Sequence, residues 1–203
     1  MVSRISMLQF FLLVIASLAI IQMTKAGDED ILCDFLGSKV DAKYFTYKDM
    51  RSFEKPAAAF TVMKASRVEF PALNGQSVSL AVLQFPVNSV NPPHIHPRSA
   101  ELLLVRKGCL QVGFVDTTNK FYNQTLRTGD IFVFPKGLVH YQYNADPHTP
   151  ALAISAFGSA NAGTVSIPAT LFTTGIDDNI LEKSFKTDAK TIQALKTGLG
   201  SKQ

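Results

Sequence analysis

Four residues in two short segments have the types and the spacing of a metal site. His94 and His96 are separated by one residue, Glu101 follows five residues after His96, and His140 lies in a second segment. Alternate side chains of a β-strand point to the same face, so His94 and His96 are expected to present their imidazoles together. Glu101 can add an oxygen ligand. His140 supplies a third nitrogen if the two segments pack against each other.

The chemistry of this set is that of a divalent transition metal. Three neutral imidazoles and one carboxylate suit manganese, iron, nickel, copper or zinc, and the set alone does not choose among them. Four protein ligands leave positions open on an octahedral ion, where a substrate can bind and react. A His-x-His pair by itself is weak evidence, because two histidines on a strand are often only surface residues. The prediction therefore depends on the elements that position them.

Those elements are expected to be short β-strands, because β-prone runs separated by turn-forming residues fill residues 57–166. The runs are AFTVMKA, VSLAVLQF, ELLLV, CLQVGFV, FYNQTL, IFVFP, VHYQY and ALAISAF. The main predicted turns are Asn74-Gly75, Asn91-Pro92-Pro93, Lys107-Gly108, Asp116 to Asn119, Thr128-Gly129-Asp130, Lys136-Gly137 and Asp146-Pro147. Many short strands at this spacing predict one all-β domain, an antiparallel sandwich or barrel.

The pattern changes to that of short helices near the end of the chain. Residues 177–183 and 187–196 have acidic starts, and the second helix is predicted to stop at Gly198. Ile192 and Leu195 are expected to share one face of that helix. Such a small helical tail has little to bury by itself, so it is expected to cover the barrel or contact a neighbouring subunit.

The first 26 residues have the pattern of a secretory signal peptide. Arg4 precedes an apolar stretch, and Thr24-Lys25-Ala26 offers small residues where a signal peptidase cleaves. The apolar run is shorter than the roughly 20 residues that a membrane span needs, and it contains polar residues. We therefore predict a cleaved leader, a secreted protein and no membrane span.

Charge argues against a nucleic-acid partner. The formal net charge is +4, and loss of Arg4 and Lys25 with the leader leaves 18 basic against 16 acidic residues. This balance is nearly even and the basic residues are scattered, unlike the basic patch of a nucleic-acid-binding protein.

In a secreted protein, one sequon can be glycosylated and two cysteines can form a disulfide. Asn123-Gln124-Thr125 predicts a glycan on Asn123, at an exposed turn or strand edge. Cys33 and Cys109 either form a disulfide that closes a long loop or remain two separate buried thiols.

The other residues that could carry chemistry have simpler interpretations. His148 is expected to lie in a solvated loop and not to bind a metal. Arg98 and Lys136 either form a positive rim that attracts small anions or are ordinary solvated charges. Six aromatic residues are expected to fill the barrel rather than line a binding site. They are Phe114, Phe121, Phe132, Phe134, Tyr141 and Phe157.

The residues around the histidines resemble the two cupin motifs in the form found in germins and germin-like proteins of plants. The first motif is matched by His94-Ile95-His96, four residues, Glu101, six residues and Gly108. The second is matched by Gly129, Pro135, Gly137, His140 and Asn144. The resemblance extends from Asp30 through the tail, and it implies a single cupin jelly-roll β-barrel with short C-terminal α-helices. The expected parts are a signal peptide (1–26), an N-terminal extension (27–56), the barrel (57–170) and a helical tail (171–203).

The same resemblance implies Mn²⁺ at His94, His96, Glu101 and His140, with Asn91 polarising what binds there. It also implies a homo-oligomer, a trimer or hexamer with the tail helices at the contacts, and a role in defence in the apoplast. The favoured activity is superoxide dismutation. The alternatives are oxalate oxidation with release of hydrogen peroxide, and a non-catalytic wall or receptor-like protein that presents a surface to cell-wall glycans.

Three departures from the family pattern bear on these expectations. Asn88 replaces the opening glycine of the first motif, and asparagine can still adopt the left-handed turn. No second cysteine follows Cys33 before Cys109, so the usual N-terminal disulfide is absent or rerouted. Ala81 stands where oxalate oxidases have a second asparagine beside the metal, and losing a donor to a charged ligand costs about 1.5–3 kcal/mol. Oxalate is therefore the less favoured substrate.

Overall fold

The part of the chain that the structure describes folds into two antiparallel β-sheets of five strands each. The computed structural model describes residues 41–54 and 57–200. The predicted signal peptide, most of the predicted extension and Cys33 lie outside the described residues. The strands are β1 (Thr61–Ala65), β2 (Ser79–Phe85), β3 (Val90–Ile95), β4 (Glu101–Lys107), β5 (Cys109–Val115), β6 (Phe121–Arg127), β7 (Ile131–Phe134), β8 (Val139–Tyr143), β9 (Ala151–Phe157) and β10 (Val165–Ser166).

The strand order closes the two sheets around one core. One sheet has the order β1-β2-β9-β4-β7 and the other the order β10-β3-β8-β5-β6. All eight predicted strands are present, and the prediction of an all-β cupin jelly-roll is confirmed. Two short 3-10 helices, Asp49–Glu54 and Pro71–Leu73, accompany the sheets.

The core is formed by alternate side chains of the strands, which point inward. In β2, Ala81, Leu83 and Phe85 point inward, and in β4 Leu103 and Val105 do the same. Full burial of a large apolar side chain stabilises the fold by about 1.5–3 kcal/mol. The metal-site residues occupy inward positions on these same surfaces, so the core fixes their direction.

One predicted turn is wrong. Asn91, Pro92 and Pro93 are part of strand β3, and the register with β8 shifts between Asn91 and His94. Proline cannot donate to a strand ladder, so it is tolerated where the ladder is irregular. A bulge lets the strand continue while it re-aims the side chain that follows, here His94.

Two backbone positions adopt the left-handed conformation that the motif requires. Asn88 has φ +54°, so it makes the turn that the family makes with glycine, as expected. Gly108 has φ +80°, and a Cβ there would lie 2.9 Å from the Cα and the Cβ of Ala151. Glycine is therefore required at the β4–β5 turn for both conformation and space.

The tail forms three helices, of which two were predicted. They are α1 (Ile167–Phe172), α2 (Asp178–Phe185) and α3 (Ala189–Gly200). Asp177 caps α2 by accepting the backbone N–H of Asn179. α1, which the sequence patterns did not reveal, begins within the segment expected to be barrel.

One detail of the predicted tail is wrong. α3 does not stop at Gly198 but continues to Gly200, and Leu199 beyond the glycine packs on a small cluster of Phe172, Leu181 and Ile192. Packing of Leu199 offsets the roughly 1 kcal/mol that a helical glycine costs. Ile192 and Leu195 lie three residues apart on α3, and along that face Ile192 is fully buried whereas Leu195 is 41% exposed.

Two of the six aromatic residues lie outside the barrel. Phe134 is fully buried, and Phe114, Phe132 and Phe157 pack against the core as expected. Phe121 is 50% exposed, and its ring stacks on Tyr141 with 6.3 Å between centroids. Phe121 covers the backbone of Gly113 on the outer face, because its edge strand β6 directs it there. No helix among residues 41–54 and 57–200 is long and apolar enough to cross a membrane.

Candidate metal centre

The structure brings the four predicted ligands together inside the barrel. His94 lies in β3, His96 follows its end, Glu101 begins β4 and His140 lies in β8. One ligand atom from each residue lies within 4.8 Å of every other, and all four side chains are buried. His94 and His140 are direct partners in the β3–β8 ladder, which explains how distant segments converge.

The ring orientation of each histidine is fixed by a backbone carbonyl. A carbonyl oxygen only accepts hydrogen bonds, so each Nδ1 carries a hydrogen, and Nε2 of the neutral ring is the atom that can bind a metal. Metal-binding histidines are characteristically held in this way. The pairs are His94 with the Pro92 carbonyl at 2.8 Å, His140 with the Leu138 carbonyl at 2.8 Å and His96 with the Gly163 carbonyl at 2.5 Å.

Two of the Nε2 atoms lie close to one carboxylate oxygen, and a cation bound between them would stabilise this arrangement. Nε2 of His96 and Nε2 of His140 each lie 3.1 Å from Oε2 of Glu101. Two ligands at right angles on an ion with bonds of about 2.1 Å lie about 3 Å apart. Unprotonated nitrogens and a carboxylate repel one another at this distance unless a cation or a proton lies between them. The donor set therefore fits a divalent metal ion.

Two further buried residues, which sequence reasoning missed, hold the other oxygen of Glu101. Nε2 of Gln142 donates to Oε1 at 3.2 Å, and the hydroxyl of Ser155 donates to the same atom at 2.5 Å. Both side chains are fully buried. Oε1 is thereby occupied, and Oε2 faces the histidines. Gln142 could have been found from its spacing, because it lies two residues after His140 on the same strand face.

Burial and mutual charge shape the pKa values of this cluster. Burial raises the pKa of Glu101, but its contacts with His140 and His96 outweigh burial and hold the pKa well below its usual range. In the metal-free site, a proton between Oε2 and either Nε2 takes the place of the cation in these contacts. Burial lowers the pKa of His94 to about 4, and the charge of His140 acts in the same direction. Glu101 is thus a carboxylate and His94 a neutral imidazole at mildly acidic pH, which are the protonation states that a metal requires.

Asn91 lies beside the centre and is tied to it by a chain of hydrogen bonds. Its Nδ2 donates to Oε1 of Gln142 at 2.7 Å and lies 3.5 Å from Nε2 of His94. Gln142 in turn donates to Glu101. The position of Asn91 next to a ligand nitrogen is compatible with the role predicted for it.

A cavity of about 510 Å³ opens over the centre and is lined by His94, His96, Glu101 and Asn91. Ala81 also lines it, and Ala81 is buried directly opposite Ser155 in the β2–β9 ladder. Ala81 therefore presents a methyl group, and no hydrogen-bonding group, to the cavity.

Arg98 is held by hydrogen bonds to a loop, whereas Lys136 is an exposed charge. Nε of Arg98 donates to the Asn161 carbonyl at 2.6 Å, and Nη2 donates to Oδ1 of Asn161 at 3.0 Å. Arg98 thus fastens the loop between β9 and β10. Lys136 is exposed on the β7–β8 turn, and His148 is exposed in its loop as expected.

The remaining predicted residues lie away from the centre. Asn123 is exposed on the edge strand β6. Cys109 at the start of β5 is half-buried and bonded to no described residue, so the bridge to Cys33 stays a prediction. Nδ2 of Asn144, a residue of the second motif, donates to the carbonyls of Phe85, Pro86 and Thr149 and holds two loops together.

Comparison with known proteins gives one consistent result. The sequence model of the Cupin family matches residues 48–193. The chain is 53% identical to germin-like protein 9-3 of Oryza sativa subsp. japonica, over 98% of this chain and 97% of that one. It is 51% identical to the putative germin-like protein 9-2 of the same organism, over 95% and 96% of the two chains. A solved structure of oxalate oxidase in complex with the substrate analogue glycolate is similar with a TM-score of 0.76 and 29% identity, covering 87% of this chain and 100% of that one.

Proposed function

Because the chain belongs to the germin-like proteins of the cupin family, we propose that it is a secreted manganese-binding protein whose centre performs redox chemistry on a small oxygen species. Superoxide is the substrate that we favour. The observation that carries the proposal is the convergence of three imidazole groups and one carboxylate oxygen in a buried cluster that opens to a cavity.

The choice of manganese rests on family membership and on the donor set. Imidazole and carboxylate ligands both suit manganese, although other divalent ions bind such sites more tightly. When bound, the ion supplies one-electron redox chemistry and open positions for the substrate.

The protein groups around the donor set orient the metal ligands and supply a polar amide at the cavity. The carbonyls of Pro92, Leu138 and Gly163 fix the three rings, so that every Nε2 is directed at one point. Gln142 and Ser155 fix the carboxylate of Glu101. The role that we assign to Asn91 is to polarise a bound oxygen species, and its support is that the amide lies 3.5 Å from Nε2 of His94 and lines the cavity.

The test compares metal content and activity in the same samples. Purified, manganese-loaded protein is assayed for dismutase activity beside the double variant His94→Ala/His140→Ala, and metal is measured by elemental analysis. His148→Ala is the matched control, because it removes an exposed histidine. We expect the double variant to lose both metal and activity and the control to keep both. Full activity in a metal-free double variant would disprove the proposal.

Oxalate oxidation is the second candidate, favoured by two observations and disfavoured by a third. The oxalate oxidase structure is similar over 87% of this chain, and Asn91 lies at the site. Ala81, however, offers no hydrogen bond to a dicarboxylate. If this candidate is correct, acidic oxalate solutions yield hydrogen peroxide, and Ala81→Asn raises the rate. Absence of turnover in both forms would exclude it.

A third candidate is a non-catalytic oligomer of the cell wall, a trimer or hexamer that presents a surface to glycans. Its support is the exposed apolar surface of the described chain. Leu102, Ile131 and Val133 are 49–60% exposed on one sheet, and Ile180 and Phe185 are 58% and 49% exposed on α2. Light scattering on the native protein measures the assembly, and this candidate expects bound metal without either activity.

Secretion to the apoplast, a role in defence and the glycan on Asn123 belong to the same proposal. Their support is the leader-like sequence of residues 1–26 and the exposure of the sequon on β6. Mass spectrometry of the protein recovered from plant cell-wall fluid would measure the new N-terminus and the glycan together.

A further inference from the structure

The cavity over the metal centre is much larger than a diatomic oxygen species needs. Its volume of about 510 Å³ falls in the range of about 300–1,000 Å³ that holds small organic molecules. His94, His96 and Glu101 line it, so the open side of the donor set faces this space. A ligand bound there can contact the ion at one end and the cavity wall at the other.

The wall beside the centre is apolar. Ala81 and Leu83 of β2 are 4% and 3% exposed, and both face the cavity. Val62 of β1 and Phe157 of β9 extend this surface, and the ring of Phe157 lies 4.9 Å from that of His96. These side chains offer no hydrogen bond, so the surface next to the metal favours a hydrocarbon group.

The serine hydroxyls that line the cavity already donate elsewhere. Ser155 donates to Glu101 at 2.5 Å, Ser79 donates to the Ser159 carbonyl at 2.6 Å, and Ser66 donates to Glu69 at 2.5 Å. A second carboxylate of a compact ligand such as oxalate that lay against Ala81, Leu83 and Val62 would therefore meet hydrocarbon groups without a donor. Burial of an unpaired charge is strongly unfavourable.

The mouth of the cavity carries one charge of each sign. Lys64 and Glu69 both line it and are exposed. The mouth thus has no net charge that would select a dianion. The other polar side chains that line the cavity are Asn91, Asn161 and Thr164, and of these Asn91 lies 3.5 Å from Nε2 of His94, beside the metal ligands.

We propose that this cavity binds small organic monocarboxylates with a branched apolar body. The carboxylate contacts the open side of the metal, and the body packs on Ala81, Leu83 and Val62. The inference rests on the metal of the proposed function and goes beyond it, because such an anion would compete with superoxide for the same open positions.

The test measures binding of three anions to manganese-loaded protein by calorimetry: acetate, 3-methylbutanoate and oxalate. Each buried methylene adds about 0.8 kcal/mol, or about fourfold in affinity. We expect 3-methylbutanoate to bind at least about tenfold more tightly than acetate, and also more tightly than oxalate. Metal content is measured on the same samples.

Ala81→Asn replaces the methyl group with an amide. We expect it to weaken binding of 3-methylbutanoate and to strengthen binding of oxalate, and Ala81→Ser to act in the same direction with a smaller change in volume. Ala156→Asn is the matched control, because it places the same amide on the exposed outer face of the same sheet and should change neither affinity.

The outcomes separate this inference from the proposed function. Equal affinity for acetate and 3-methylbutanoate in manganese-loaded protein would overturn the ligand class and leave the metal site intact. Unchanged preferences in a folded Ala81→Asn variant would also overturn it. A protein that takes up no manganese would remove both the proposed function and this inference.

Discussion

The carbonyl of Gly163 accepts the Nδ1 hydrogen of His96, although 67 residues separate them in the chain. The loop that carries Gly163 is held by Arg98, whose guanidinium lies against that glycine so closely that a Cβ would come 2.7 Å from Nη2. Arg98 also binds the side chain and the carbonyl of Asn161. A residue outside the donor set thus fixes the orientation of one ligand through the backbone of a distant loop.

Arg98→Ala is therefore expected to weaken metal binding. Loss of a group that orients a ligand typically lowers metal affinity about 10–100-fold. Arg98→Lys keeps the charge but lacks the paired contacts to Asn161, so we expect only partial recovery. Lys136→Ala, which removes an exposed cation from another turn, is the control. Manganese titration of the metal-free proteins measures the effect. Equal affinities in Arg98→Ala and Lys136→Ala would refute the positioning role.

Ser155→Ala tests the support of Glu101. The change removes the hydroxyl that donates to Oε1 at 2.5 Å, and a hydrogen bond to a charged group contributes about 1.5–3 kcal/mol. We expect a loss of this size in the free energy of unfolding of metal-free protein, together with weaker metal binding. Urea denaturation measures the first effect and metal titration the second.

Ser99→Ala is the matched control for Ser155→Ala. Ser99 is equally a buried serine, but its hydroxyl donates to the neighbouring carbonyl of Ala100. We expect a smaller loss of stability and unchanged metal affinity. If the two variants lost metal equally, Ser155 would have no special role at Glu101.

His140 could be predicted from the sequence, whereas Ser155 could not. Ligand types, motif spacing and strand periodicity were sufficient to predict His94, His96, Glu101 and His140 and the strands that hold them. Ser155 was not predictable, because a serine in an apolar strand does not reveal its partner. Its contact with Glu101 depends on the register in which β9 lies beside β4.

Two other features depended on interactions that sequence patterns do not encode. The bulge in β3 replaced a predicted turn, because pairing with β8 extends the strand across Pro92 and Pro93. Gly163 as the acceptor for His96 depends on a loop that returns from the far end of β9. Long-range pairing decides both, whereas turn and strand propensities are local.

Gly108→Ala is expected to destabilise the fold more than Gly137→Ala. Both glycines have positive φ, +80° and +75°, so alanine is strained by about 1–2 kcal/mol at either position. Only at Gly108 would the added Cβ also lie 2.9 Å from Ala151, whereas Gly137 has open space. We therefore expect an additional loss of about 1 kcal/mol or more for Gly108→Ala. Urea denaturation of both variants measures it, and equal losses would show that the contact with Ala151 relaxes freely.

Metal-free protein is expected to lose stability as the pH falls from about 6.5 to about 4. Burial holds the pKa of His94 at about 4, and the unfolded side chain has a pKa of about 6.5. Between these values the unfolded state binds more protons, so the free energy of unfolding decreases as the pH falls, by a total on the order of 3 kcal/mol. Glu101 also has a lowered pKa, but its contribution is lost only at pH values below about 4.5. Urea denaturation at a series of pH values measures the slope, and His94→Asn should flatten it between pH 6.5 and 4. His148→Asn should not, because that histidine is exposed, and an unchanged slope in His94→Asn would assign the effect to another group.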